Sequence, residues 1–306
     1  MQTTLNRDVQ FVGVGLHSGR PARVTLHPAR AGHGIRFRRI DLTDRDPIVS
    51  ARYDMVVDTT LNTRLSNAAG VTVSTVEHLM AAFAGCGLHN VLVDLDGPEV
   101  PIMDGSARRF VRDIMACGLR DLHQPVEAWQ VTAPVTVTIG QATATLEPFD
   151  GLGISFDIDF PDQAIGHQSK ALNMANGCFI RELSDCRTFC RRVEVEYMQS
   201  KGLALGGTLD NAVVVEGDTV LNPEGFRRSD ECVRHKMLDA LGDLALAGLP
   251  VLGAYTGHRA GHGTTNNLLR KLFSTPGAVR KVTCDPAQVS NLPGFGLRAR
   301  DFAAVG

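Results

Sequence analysis

The feature that most restricts the fold of this chain is that its second half repeats its first. Thr25-Leu26-His27-Pro28 followed by Gly34-Ile35-Arg36-Phe37 is echoed by Thr145-Leu146-Glu147-Pro148 followed by Gly153-Ile154-Ser155-Phe156. Val76-Glu77-His78-Leu79-Met80 is echoed by Val233-Arg234-His235-Lys236-Met237, and in each copy a glycine, Gly85 or Gly242, lies seven residues beyond the histidine. A repeat this long points to two similar domains rather than a solenoid. The expected division is 1–125 and 126–306, joined through the polar stretch 118–128. If the two copies pack with pseudo-twofold symmetry, His78 and His235 come from equivalent helices and meet between the domains, where ligand sites are common.

Composition excludes several classes. The 306 residues are 43% hydrophobic and 21% charged with a net charge of -2, as in ordinary globular chains. No basic stripe marks a nucleic-acid surface. No apolar run is long enough to span a bilayer, and the first residues lack the apolar stretch of a signal peptide. The seven cysteines form no CxxC pair, so neither a disulfide framework nor a cysteine-rich zinc site is expected. A reducing cytoplasm fits.

The segment 233–243 reads as one helix. Leu238, Leu241, Leu244 and Ala245 supply a buried stripe. His235, Asp239 and Asp243 recur every fourth residue and therefore share one edge. An imidazole and a carboxylate one turn apart can ligate one divalent cation. Earlier in the chain, Ser74 and Glu77 have the spacing of a capping box, which predicts a helix whose first turn carries Glu77 and His78. On that reading Glu77 is either a cap alone or a functional carboxylate. Neighbours on a helix point about 100° apart, so one of the pair can ligate while the other reaches a water beside the ion. His17 sits in the glycine-rich turn Gly15-Leu16-His17-Ser18-Gly19, where backbone can approach an anion. His262 lies between Gly261 and Gly263, in what reads as a loop. The second half also carries an insertion at about 187–215 whose small and apolar residues either line a groove for an apolar chain or form a small core of their own.

Assembled, these residues describe a zinc hydrolase. His78, His235 and Asp239 are three ligands that leave a fourth position open. Glu77 is the general base. His262 is the general acid, or stabilises the developing oxyanion. Asp243 orients His262 and favours its protonated form. Thr188 can donate a hydrogen bond to the substrate carbonyl. A His₂Asp set does not separate Zn²⁺ from Fe²⁺, so either metal can be loaded in the cell.

Ser74-Thr75-Val76-Glu77-His78-Leu79, Pro101-Ile102-Met103-Asp104-Gly105-Ser106, Gly202-Leu203-Ala204-Leu205-Gly206-Gly207, Arg234-His235-Lys236-Met237-Leu238-Asp239 and Gly261-His262 closely resemble the UDP-3-O-acyl-N-acetylglucosamine deacetylases of lipid A biosynthesis. The likeness runs from the Gly15–Gly19 turn to about Leu272. It implies an α+β fold of two similar domains, each a small β-sheet with two helices, the helices sandwiched between the sheets. It implies zinc-dependent removal of acetate from the 2-amino group of a UDP-glucosamine that bears a 3-O-acyl chain, the committed step of that pathway. The alternative is a zinc amidohydrolase of another N-acyl sugar. A binding protein of the same fold would need neither Glu77 nor His262. The resemblance repeats the ligand, base and acid assignments above and adds five contacts. Phe189 packs on the sugar, Phe160 meets the nucleotide base, and Lys236 and His17 lie near the diphosphate. Arg259 stands where the family tends to have lysine and would also face phosphate. The insertion becomes a passage for the acyl chain, and a monomer with no partner beyond the small-molecule substrate is expected. The chain departs from the family at Asn62, often cysteine, at Cys190, often glycine, and at Arg191 and Arg192, where apolar residues are expected.

Overall fold

The computed structural model describes residues 1–297 and residue 301. Two mixed sheets repeat one strand order. In the first half, Val9–Val14 pairs with Pro21–Pro28, which is antiparallel to the central strand Val91–Leu95; Ile35–Arg39 runs parallel on its other side, and Ile48–Ser50 forms the edge. In the second half, Val135–Ile139 pairs with Ala142–Glu147, which is antiparallel to the central strand Val251–His258; Leu152–Asp159 runs parallel beside it and His167–Asn173 forms the edge. The echoed tetrapeptides occupy equivalent strands: Pro28 faces Val91 and Glu147 faces Ala254. The second sheet adds Glu127–Val131 and Val279–Thr283.

The helices lie between the sheets. Helix α1 (Glu77–Cys86) packs on α2 (Arg108–Cys117) and on α5 (Glu231–Ala245), and α5 packs on α6 (His262–Ser274). Two short helices, α3 (Cys178–Glu182) and α4 (Arg192–Ser200), precede α5 in the chain. Helix α2 rests on the strand Val9–Val14, α5 on Leu152–Asp159, and α6 on Val135–Ile139 and Ala142–Glu147. The fold is thus α+β, with helices sandwiched by sheets. Sequence reflects depth. In α2 only Phe110, Val111, Ile114 and Cys117 are buried, one face of an amphipathic helix, whereas α1 and α5 are buried on nearly every side. Leu79, Met80, Phe83, Leu238 and Leu241 are all but inaccessible, and each contributes about 1.5–3 kcal/mol by burial.

Two local expectations change. Ser74 and Glu77 do not form a capping box: the Ser74 hydroxyl is 3.3 Å from the Pro98 carbonyl, and Glu77 Oε2 accepts from the Thr63 amide at 3.0 Å. Glu77 is therefore drawn off the helix end into the interior. The stretch 118–128 is more ordered than a linker, because Leu119–Asp121 pairs antiparallel with Thr3–Leu5. Among the described residues, no helix is long and apolar enough to cross a membrane.

Candidate active site

The crossing of α1 and α5 brings the two histidines together. A Cβ built on Gly242 would lie 2.0 Å from the Glu77 carbonyl oxygen, so only glycine lets the two backbones approach this closely. The His78 and His235 rings then sit with centroids 4.9 Å apart and planes near perpendicular. Their Nε2 atoms lie 3.5 and 3.3 Å from Asp239 Oδ1. One ligand atom from each of the three residues lies within 4.8 Å of the others, and all three residues are buried.

The donor set fits a divalent cation. The Cys186 carbonyl can only accept, so His235 Nδ1, 3.0 Å away, carries the proton and leaves Nε2 as a lone pair. Burial, only partly opposed by the charge of Asp239, lowers the His235 pKa to about 4 and keeps the ring neutral, the form that ligates. Burial alone would raise the Asp239 pKa, yet His235 and Lys236 hold the carboxyl well below its ordinary range. Its Oδ1 is buried without a hydrogen-bond partner among the described residues. An unpaired buried carboxylate oxygen between two imidazole nitrogens is costly in an apolar interior and is what a cation would satisfy.

Beside this cluster stand a carboxylate, Glu77, and an imidazole, His262. Glu77 is buried; desolvation raises its pKa, although the charges of His262 and His78 pull the other way. With Oε2 fixed by Thr63, Oε1 lies 4.0 Å from His262 Nε2. His262 is the first residue of α6 rather than part of a loop. A helix N-terminus disfavours imidazolium, and burial also lowers the His262 pKa. The charge and hydrogen bond of Asp243, with smaller contributions from Glu77 and Asp239, outweigh both and raise it to about 9. His262 Nδ1 donates to Asp243 Oδ2 at 2.8 Å, and Thr63 Oγ1 donates to Asp243 Oδ1 at 2.6 Å. Thr63 thus serves both carboxylates. It carries no spacing signal in the sequence, where its neighbour Asn62 drew attention instead.

A cavity of about 850 Å³ opens over the cluster. Its walls include His17, Phe160, Thr188, Phe189 and Lys236, together with His235, Asp239 and His262. Phe160 and Phe189 meet edge to face with centroids 5.4 Å apart. Thr188 is fixed through its backbone, donating to Gly105 and accepting from Val213, each at 2.8 Å. Both ring nitrogens of His17 are buried without partners among the described residues. Lys236 is not free for an anion alone, since its Nζ donates to Asp239 Oδ2 at 2.9 Å. Arg259 is not on the cavity wall: its guanidinium bonds Gln141 at 2.7 Å and pairs with Asp159. Val195, Met198, Leu209 and Val214 from the insertion extend the wall, and Cys190 joins them. Arg191 and Arg192 do not; they pair with Asp162 and with Glu196 and Glu216. Asn62 is half-buried and off the wall.

The model of the LpxC family, UDP-3-O-acyl N-acetylglycosamine deacetylase, matches residues 2–274. The chain belongs to that family. Members are metalloenzymes, and the His-His-Asp cluster is this chain's candidate metal site. Three relatives named UDP-3-O-acyl-N-acetylglucosamine deacetylase illustrate the similarity. That of Phenylobacterium zucineum (strain HLK1) is 48% identical over 279 residues, covering 91% of this chain and 95% of the relative. That of Anaeromyxobacter sp. (strain Fw109-5) is 47% identical, covering 92% and 91%. That of Pasteurella multocida (strain Pm70) is 42% identical, covering 94% of each.

Proposed function

We propose that this chain hydrolyses the N-acetyl group of UDP-3-O-acyl-N-acetylglucosamine with Zn²⁺, giving acetate and the free 2-amine. The observation that carries this reading is the convergence of three buried ligands with a carboxylate and a cationic imidazole under one largely apolar cavity. Zn²⁺ held by His78, His235 and Asp239 would supply Lewis acidity toward the acyl carbonyl and lower the pKa of a water to about 7. Fe²⁺ suits the same donors.

The remaining steps belong to the chain's own groups. Glu77, its basicity raised by burial, takes the proton of the attacking water. The oxygen adds to the acetyl carbon, and Thr188 donates toward the carbonyl oxygen. The C–N bond then breaks as His262, held protonated by Asp243, gives its proton to the departing nitrogen. Phe189 and Phe160 offer faces for the sugar and the base, His17 and Lys236 meet the diphosphate, and the insertion takes the acyl chain. Arg259 would reach phosphate only by leaving Asp159. The free cysteines support a reducing cytoplasm, and we assign a monomer.

Acetate release from UDP-N-acetylglucosamine with and without the 3-O-acyl group tests this reading. Turnover that depends on the acyl chain and disappears with a chelator is expected. Equal turnover of the unacylated sugar would favour a broader amidohydrolase, and no acetate from either would end the proposal.

A further inference from the structure

Glu99 is a buried acid, 5% exposed, without an ion-pair partner among the described residues. Its carboxylate instead faces the His17 turn. Oε1 accepts from the His17 amide at 2.8 Å and from Thr75 Oγ1 at 3.1 Å, and Oε2 accepts from the Ser18 amide at 2.9 Å. The fit is close: a Cβ on Gly15 would lie 2.3 Å from Oε2. Thr75 has φ 57, an unfavourable conformation for a β-branched residue. It lies two residues before Glu77, so the bond to Glu99 holds strained backbone where α1 begins. On its other side the turn docks on the insertion, accepting from Leu205 through the His17 carbonyl at 3.3 Å and from Gly206 through the Leu16 carbonyl at 3.0 Å. The product is an imidazole aimed into the cavity with neither nitrogen satisfied.

A carboxylate this close to a place meant for an anion works against binding by charge alone. Its presence there is explained by what it holds. We propose that Glu99 is a positioning residue: it fixes the Gly15–Gly19 turn so that the His17 imidazole is pre-organised to bind the anionic part of the substrate. The inference rests on the deacetylase reading above. Pre-organisation lowers the cost of ordering on binding, so its loss appears in KM before kcat.

The test is a double-mutant cycle in the metal-loaded protein, reading kcat, KM for the UDP-sugar and the inhibition constant of UDP, with Glu99→Gln and His17→Ala alone and together. Glutamine removes one acceptor and turns an amide group toward backbone N–H donors. Expected is a tenfold or greater rise in KM and in the UDP inhibition constant for each single variant, kcat within about threefold, full metal content, and a double variant no worse than His17→Ala. A Glu99→Gln penalty that persists undiminished in the His17→Ala background overturns the proposal, as does tighter UDP binding by Glu99→Gln. If Glu99→Gln does not fold, Gly15→Ala displaces the same carboxylate and must reproduce the cycle. An inactive parent enzyme would instead indict the deacetylase reading, while the UDP measurements still judge the role of Glu99.

Discussion

Helices α1 and α5 are copies of one element, yet they carry unequal chemistry. Glu77 and Arg234 precede the paired histidines at the same position. Glu77 turns inward beside the cluster, whereas Arg234 bonds Asp230 at 2.6 Å and the Glu182 carbonyl at 2.9 Å. His235 has its Nδ1 tied to the Cys186 carbonyl; His78 Nδ1 has no partner among the described residues. The two glycines also differ. A Cβ on Gly242 would strike the α1 backbone, while one on Gly85 would lie 1.9 Å from the Phe179 ring. The frame is thus symmetric while its side chains are not: α1 alone carries a carboxylate before its histidine, and α5 alone carries Asp243, which bonds His262.

The glycines break the symmetry most severely. In Gly242→Ala the helix backbones must separate, so a cost of about 3 kcal/mol or more is expected, with loss of bound metal and of turnover. In Gly85→Ala the Phe179 ring can move, so a cost of about 1–3 kcal/mol with metal retained is expected. Denaturant unfolding with metal analysis of both proteins checks the contrast, and equal metal loss would mean that helix spacing is not set at Gly242 alone.

Next in size is the Glu77 and Arg234 pair. Glu77→Gln should lower kcat about 10²–10⁴-fold with metal still bound, because the amide cannot take a proton. Arg234→Gln breaks ion pairs away from the cavity and should lower stability while leaving kcat within a fewfold. Steady-state kinetics beside thermal unfolding separate the two. A Glu77→Gln enzyme with parental kcat would remove Glu77 from the mechanism.

A smaller change tests the carboxylate that only α5 carries. His262 must be protonated to act as acid, so rate falls as pH rises through its pKa. Asp243 raises that pKa to about 9. Asp243→Asn therefore moves the fall toward the ordinary value near 6.5 and leaves roughly 10–30-fold less protonated acid at pH 8. A cation at the neighbouring ligands lowers both midpoints, so the diagnostic quantity is the difference between the two pH profiles. An unshifted basic limb would mean that Asp243 does not tune His262.

The frame and the cluster were legible in the sequence for a physical reason. Helical periodicity fixes that His235, Asp239 and Asp243 share an edge, and the echoed segments fix which helix faces them. What was not legible arises from contacts distant in sequence. Thr63 reaches Asp243 across 180 residues, and Glu99 reaches His17 across 82; no local pattern encodes either. Ser74 and Glu77 misled because a capping-box spacing is also compatible with a carboxylate that bonds elsewhere. Gly261-His262-Gly263 misled because Gly261 caps a helix that begins at His262.

The smallest effect concerns how each half returns from its paired helix to its central strand. After α1 the return passes through His89, whose Nδ1 accepts from the Thr3 amide at 3.2 Å. After α5 it is held by Trp129 Nε1 donating to the Ala247 carbonyl at 3.0 Å, a contact that does not titrate. Burial, helped by the charge of the N-terminal amine, lowers the His89 pKa to about 4. The unfolded chain therefore takes up a proton at this position first. The stability gained by keeping His89 neutral is complete above about 6.5, declines as pH falls toward 4, and then levels off. The full shift corresponds to about 3 kcal/mol, and partial exposure of the ring trims this to about 2 kcal/mol. Hydrogen exchange at pH 5 should open the Thr3–Leu5 and Leu119–Asp121 pair, which Thr3 anchors, before the strand pairs around Trp129. His89→Asn, which can accept the same amide without titrating, should flatten the difference between pH 7 and pH 5. If acid loosens both halves together in the parent and the variant alike, the pH sensitivity lies outside this return.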